Sequence, residues 1–285
     1  MTRLDLHLHT TFSDGSLPPA DVVRLAQNAH VSALAITDHD TVDGIPEALT
    51  AGLERGIEIV PGIEISSRWR GIEVHILGYF IDWTDAALLG RLVGYRDSRH
   101  TRNPLIVEKL NELGIAITYE EVRALAGPAS VGRPHIARVL MNKKYVTSAK
   151  EAFDRYLAEG AAAYVPRDLP DPAEAIGVIR AAGGVPVLAH PSWLDRSEGI
   201  VPLCKELKIA GLAGIEVHYS THRPEQTSHY LNLAKQLDLL VTGGSDFHGV
   251  TKPDIEVGVG RGRLKVPEKL LEPLRQAAAG SCAGT

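Results

Sequence analysis

Near the start of the chain, His7-Leu8-His9 sets two imidazoles two residues apart in an apolar run. If that run is a strand, alternation puts both rings on one face and Leu6 and Leu8 on the other. Two imidazoles so placed can chelate one metal ion, and imidazole suits zinc, manganese and iron. Alone, the pair could equally be an accident of the surface, but the pattern recurs. Asp14 lies in Ser13-Asp14-Gly15, His39 in Thr37-Asp38-His39-Asp40, Glu64 in Gly62-Ile63-Glu64-Ile65 and His75 in Glu73-Val74-His75-Ile76. Further on come Ala189-His190-Pro191, Glu216-Val217-His218 and Ser245-Asp246-Phe247-His248. Apolar segments that end repeatedly in His, Asp or Glu are hard to explain as packing, because unpaired buried charge is costly. They read as ligands for several metal ions held in one place.

Ligands so far apart in sequence need a scaffold that gathers strand ends. Short apolar runs alternate with amphipathic helical patterns, which is the signature of an α/β fold. Strands are predicted at 3–10, 33–37, 58–66, 74–81, 185–189, 214–219 and 239–243. In a (β/α) barrel the carboxyl ends of the strands converge on one rim, where catalysis sits. Pro18-Pro19-Ala20-Asp21 opens a helix with Val22, Leu25 and Ala29 on one face. Asp171-Pro172-Ala173-Glu174 opens another, which Gly183-Gly184 stops.

Residues 82–170 break the alternation and read as all-helical. Thr118 with Glu121, and Ser148 with Glu151, each fit a capping box, and Ile106, Leu110 and Leu113 fall on one stripe. The expected organisation is therefore a barrel domain from residues 1–81 and 171–285, interrupted by a helical insertion at 82–170 that caps it. The tail 277–285 reads as frayed.

Composition narrows the function classes. The 285 residues hold 30 Lys and Arg against 35 Asp and Glu, a net charge of −5. An acidic chain is a poor general binder of duplex DNA or anionic membrane. No apolar run approaches a membrane span, and Met1-Thr2-Arg3-Leu4-Asp5 is too polar for a signal peptide. A cytoplasmic location is expected. Two cysteines, Cys204 and Cys282, supply neither a disulfide framework nor a thiolate zinc site.

The quoted segments, in order and across nearly the whole chain, resemble the PHP (polymerase and histidinol phosphatase) family. The resemblance implies a distorted (β/α)7 barrel binding up to three metal ions at one rim. It is nearest to stand-alone members with a helical insertion that act on nucleotides: 3′,5′-nucleotide bisphosphate phosphatases and 5′→3′ exoribonucleases. Carried onto this chain, it implies one ion on His7, His9 and Asp246, with Glu64 bridging to a second on His75 and His190. Asp14, His39 and His248 would hold the third. Two to three divalent ions are expected, manganese first, with iron or zinc as alternatives. Asp38 and Asp40, flanking His39, read as carboxylates that orient ligands or cap the turn.

In Val131-Gly132-Arg133-Pro134-His135, the resemblance implies an Arg and a His that reach over the metals to the substrate phosphate. Arg133 supplies forked donors that fit phosphate oxygens. Glu216 and His218 share a predicted strand face, and Glu216 reads as orienting a ligand or substrate group. His218 and His222 stay open between a substrate contact and a structural role. His30, His100 and His229 read as solvated, as does Lys143-Lys144. Tyr164 reads as packing rather than stacking on a base, and Cys204 as a small core residue.

The expected reaction is hydrolysis of a phosphate monoester of a small nucleotide, such as the 3′-phosphate of a 3′,5′-bisphosphate nucleotide, by a metal-bridged hydroxide. Glu64, Asp246, Arg133 and His135 would carry it. No Gly-x-Ser-x-Gly elbow or P-loop is present. Rival readings are stepwise release of nucleotides from the 5′ end of short RNA, a histidinol-phosphate-type phosphatase, and a metal-dependent amidohydrolase. A metal-stabilised binding module is the non-enzymatic alternative. The oligomeric state is left open.

Overall fold

The computed structural model describes residues 3–127, 131–194 and 199–282. Seven strands form one mixed sheet in sequence order: β1 (Arg3–Leu8), β2 (Val31–Ile36), β3 (Glu58–Trp69), β4 (Ile72–Tyr79), β5 (Val185–Leu188), β6 (Gly214–Tyr219) and β7 (Leu240–Gly244). The sheet curls into a nearly closed barrel. Its two edges meet where Asp246 N–H donates to the His7 carbonyl at 2.8 Å and His9 N–H to the Phe247 carbonyl at 3.0 Å. All the predicted strands are present, with ends shifted by a few residues.

One strand runs against the rest. β4 pairs antiparallel with both β3 and β5, whereas the other neighbours are parallel. The cause is local: Arg70 (φ 48°) and Gly71 (φ 89°) are both left-handed, the two-residue turn that suits strand twist in a hairpin. The reversal has a consequence for chemistry. His75 stands in the first half of β4, yet reversal carries that half to the rim formed by the carboxyl ends of the parallel strands.

Helices α1 (Pro19–Asn28) and α2 (Ile45–Arg55) follow the first two strands. Between β4 and β5 run α3 (Ala86–Glu112), α4 (Tyr119–Ala126), α5 (Arg133–Asn142) and α6 (Ala149–Ala152), the last continuing into a π turn at Phe153–Leu157. α7 (Pro172–Ala181), α8 (Ile200–Ala210), α9 (Pro224–Gln236) and α10 (Leu271–Cys282) complete the described residues. α3 spans two cores. Leu88, Leu92 and Tyr95 pack with the barrel's strands, while Ile106, Val107 and Leu110 join a separate cluster with Val122, Ile136 and Leu140. Between those stretches lie buried Arg99, Arg102 and Asn103.

Several local expectations need correction. Thr118 and Glu121 form the reciprocal capping box, but Glu151 bonds Thr147 rather than the Ser148 N–H. Asp171 caps α7 through Ala173 N–H, whereas Glu174 accepts from Tyr95 instead. Leu113 is half-exposed because α3 ends one residue before it. On α1 the buried face is Pro19, Val22, Val23 and Ala26, with Leu25 and Ala29 at its margin. The tail is helical through Cys282, since Leu271 and Leu274 pack on Leu4, Leu6 and Val185; residues 283–285 lie outside the described residues. No helix among the described residues is long and apolar enough to cross a membrane.

Candidate metal centre

Alternation along β1 directs His7 and His9 the same way, and their Nε2 atoms approach to 3.1 Å. His39 follows β2 and bridges to Glu64 on β3. On the β3–β4 pair, Ser66 faces His75, so Glu64 and His75 are diagonal neighbours on one side of the sheet. His190 follows β5, and Asp246 and His248 follow β7. The chain is bent hard to deliver them. Asp40, His190 and Asp246 all adopt positive φ (56°, 27° and 57°), the strained region non-glycine residues avoid except where surrounding structure holds them.

Glu64 is the hub. Its Oε1 lies 2.9 Å from His75 Nδ1 and 3.0 Å from His190 Nε2. Its Oε2 lies 3.1 Å from His9 Nε2, 3.1 Å from His39 Nδ1 and 3.3 Å from His7 Nε2. Two oxygens facing two sets of imidazoles is the geometry of a bridging carboxylate. Asp246 Oδ1 faces His7, His9 and His248, and Asp14 Oδ1 lies 3.2 Å from His248 Nε2. Four overlapping groups have ligand atoms within 4.8 Å of one another: His9, Asp14, His39 and His248; His7, His9 and Asp246; His7, Glu64 and His190; His39, Glu64 and His75. All nine residues proposed as ligands fall in these groups, with His75 nearer His39, and His190 nearer His7, than a strict three-ion partition suggests.

Electrostatics follow from crowding. Burial alone would lower both His9 and His75, but Asp246 and Glu64 lift His9 to about 9, and Glu64 with Glu73 lifts His75 to about 9. Burial would raise Glu64, yet His39, His7 and His75 hold it well below the carboxylate range. His248 and His39 overcome burial in the same way at Asp14, and Lys252 and His248 do so at Asp246.

The donor set suits divalent cations. Six imidazoles and three carboxylates offer nitrogen and oxygen without thiolate, the mixture that takes manganese, iron or zinc. His39 Nδ1 is buried and makes no hydrogen bond despite the nearby Glu64 oxygen, as expected of an atom whose partner is a cation.

Around this cluster lies a shell that local spacing only partly signals. Glu216 faces His7 Nδ1 at 3.0 Å and accepts from His190 N–H at 2.8 Å, so it orients two candidate ligands. Asp38 accepts from Thr10 and Ser13. Asp40, which burial would raise, is brought down to about 2 by Arg99 and Arg167, whose guanidinium groups donate to it. Tyr219 and Lys252 donate to Asp246 Oδ2. Arg167, Tyr219 and Lys252 carry no spacing cue. Arg96, Arg99 and Arg102 do, recurring every third residue along one side of α3.

The remaining candidates divide. Arg133 donates to Glu73 Oε2 at 2.7 Å, and Glu73 Oε1 lies 3.4 Å from His75 Nε2, so Arg133 stands one carboxylate away from the cluster. His135 Nδ1 accepts from Gly132 N–H at 3.0 Å, which puts its neutral-form proton on Nε2. His218 stands outside the ligand groups: the pairing of β6 with β7 slips between Glu216 and His218, so the two no longer share a face. His222 Nδ1 faces the Val217 carbonyl at 2.8 Å, with its ring between Tyr219 and Tyr230. His30, His100 and His229 are exposed. Lys143 ties α5 to α4 through Glu121, Tyr164 accepts from Arg68, and Cys204 is buried on α8.

Known proteins resemble this chain in sequence and in fold. The PHP domain pattern matches residues 5–164. The chain is 37% identical over 247 residues to a 5′-3′ exoribonuclease of Haemophilus influenzae, covering 86% of this chain and 90% of that one. It is 34% identical over 260 residues to a 3′,5′-nucleoside bisphosphate phosphatase of Chromobacterium violaceum, covering 90% and 91%. A solved structure from Bifidobacterium adolescentis, provisionally described as a metal-dependent phosphoesterase, superposes with a TM-score of 0.88 at 31% identity over 96% of both chains.

Proposed function

Because the chain belongs to the PHP domain family and is a metal-dependent phosphoesterase, we propose that it hydrolyses the phosphate monoester of a small nucleotide, with the 3′-phosphate of a 3′,5′-bisphosphate nucleotide as the favoured case. One observation carries the reading: Glu73 links the Arg133 guanidinium to His75, which supports reading Arg133 as a forked donor for phosphate at the edge of the ligand cluster.

His7, His9, Asp14, His39, Glu64, His75, His190, Asp246 and His248 would hold two to three divalent ions. When bound, such ions neutralise phosphoryl charge and lower the pKa of water from 15.7 to about 7. Glu216 keeps His7 and His190 oriented. Arg133 offers its fork to the phosphoryl oxygens, and His135 offers Nε2–H as a neutral donor. Hydrolysis forms one P–O bond to the water oxygen and breaks the P–O bond to the sugar. The departing sugar oxygen takes up the proton the water releases. Helices α3–α6, with their own apolar cluster, would form the cap over the substrate.

The Haemophilus relative's name favours a second reading, release of mononucleotides from the 5′ end of short RNA. Supplying the protein with manganese and either adenosine 3′,5′-bisphosphate or a short RNA, then resolving inorganic phosphate from mononucleotide, separates the two. Phosphate from the bisphosphate is expected. Mononucleotides from RNA with no phosphate from the bisphosphate would replace the first reading by the second, and no turnover of either would end both.

A further inference from the structure

The chain leaves the barrel along α3 and returns to it ahead of α7, and both crossings end on one carboxylate. On the way out, Arg99 donates to Asp40 Oδ2 through Nε at 3.1 Å and Nη2 at 2.7 Å. On the way back, Arg167 Nη2 donates to the same oxygen at 3.1 Å. Three residues before Arg99 on α3, Arg96 Nη1 donates to Asp43 Oδ2 at 2.7 Å and to Thr41 Oγ1 at 3.4 Å. Three arginines of the helical stretch thus hold residues 40–43, the segment that directly follows His39.

That segment needs holding. Asp40 has φ 56°, a left-handed conformation that persists only where its surroundings fix it. Its N–H donates to the Glu64 carbonyl at 3.0 Å, and its Oδ1 accepts from Ser66 N–H at 2.9 Å. The turn is thereby stitched to β3 at the place where His39 bridges to Glu64. Asp40, Arg99 and Arg167 are 0, 5 and 6% exposed, so salt screens their attraction little. Asp40 belongs to none of the ligand groups among the described residues; it acts on the centre through the peptide it shares with His39.

We propose that Arg96, Arg99 and Arg167, acting through Asp43 and Asp40, are positioning residues for His39, and that docking of the helical stretch is linked to binding of the ion His39 holds. The inference rests on His39 being a metal ligand and is independent of which phosphate ester is cleaved. Helices α4–α6 close on their own apolar cluster, so they can shift against the barrel without unfolding. Linkage is reciprocal: the factor that docking adds to the ion's affinity, the ion adds to the docked state.

Arg167→Met is the sharpest variant. It leaves Asp40 paired with Arg99 and removes a buried Nε that makes no hydrogen bond. Manganese is titrated calorimetrically into stripped wild type, Arg167→Met and Arg167→Lys, with elemental analysis at fixed free manganese. Arg167→Met is expected to bind one ion about tenfold more weakly and the others as wild type does, the scale for an outer partner of a ligand. Arg167→Lys, which keeps the charge, should recover part of the loss. Hydrogen exchange in α4, α5 and α6 is expected to slow when manganese is added to wild type, and to slow less in Arg167→Met. Equal weakening of every ion with a lower melting temperature marks a general loss of stability and overturns the proposal. So do an unchanged affinity, exchange that ignores manganese, or a lysine variant no better than the methionine one, each of which leaves the metal centre standing. A wild type that binds no manganese ends the centre and the linkage together. If Arg167→Met does not fold, Arg96→Ala decides, because that side chain lies nearer the surface at 29% exposure. About threefold weaker binding of one ion then sustains the proposal, and equal binding overturns it.

Discussion

Tyr219 donates its phenolic hydrogen to Asp246 Oδ2 at 2.6 Å, while Asp246 Oδ1 faces His7, His9 and His248. The carboxylate is thereby split between a fixing side and a ligating side. Removing the phenol frees Asp246 to rotate, but Lys252 still holds Oδ2. Tyr219→Phe is therefore expected to weaken manganese binding about tenfold, the low end for outer-shell partners of metal ligands. Calorimetric titration of metal into the stripped protein reads it. An affinity matching wild type would remove Tyr219 from the centre's support.

Metal removal should unfold the barrel at lower temperature. Cations bound only by the folded state add about 2.7 kcal/mol when present at a hundred times their Kd. For a chain of this size that is a fall of roughly 5–10 °C in Tm on chelation, reversed by manganese. Scanning calorimetry checks it, with elemental analysis to verify removal. Superimposable scans of stripped and loaded protein would contradict the centre.

Arg133→Ala separates phosphate binding from metal binding. The side chain bonds Glu73 and the Leu157 carbonyl and belongs to none of the ligand groups. Its loss is expected to cut kcat/KM about 10²-fold, as for a missing transition-state donor, while metal content stays at the wild-type level. Full turnover by the variant would take Arg133 out of the reaction.

Gly244→Ala tests closure of the barrel. A Cβ on Gly244 would lie 2.3 Å from His7 Cβ and 2.4 Å from His7 N, and both belong to a strand that cannot retreat. The overpacking should cost about 3 kcal/mol and lower Tm by roughly 5–10 °C. Metal should be lost with it, because His7 moves. A variant as stable as wild type would mean that β1 and β7 do not meet closely.

Much of the centre is legible before folding because its ligands sit at strand ends, where a polar residue breaks an apolar run. His9, His39, His190 and Asp246 all stand just beyond a strand. The arginines escape that rule, because α3 is polar enough overall that two buried cations, Arg99 and Arg102, do not interrupt any pattern. His218 misleads for a related reason. Strict alternation puts it beside Glu216, but a one-residue slip against β7 turns it away.

The amino-acid order by itself determined the strand and helix sequence, the ligand inventory and the helical stretch between β4 and β5, since each follows from periodicity and residue type over a few neighbours. Only the tertiary structure decided that Glu64 turns one oxygen to His75 and His190 and the other to His7, His9 and His39, and that Arg102 is buried without a carboxylate. Those are relations between segments distant in the chain. Their energies depend on separation and burial in space, quantities that no local pattern encodes.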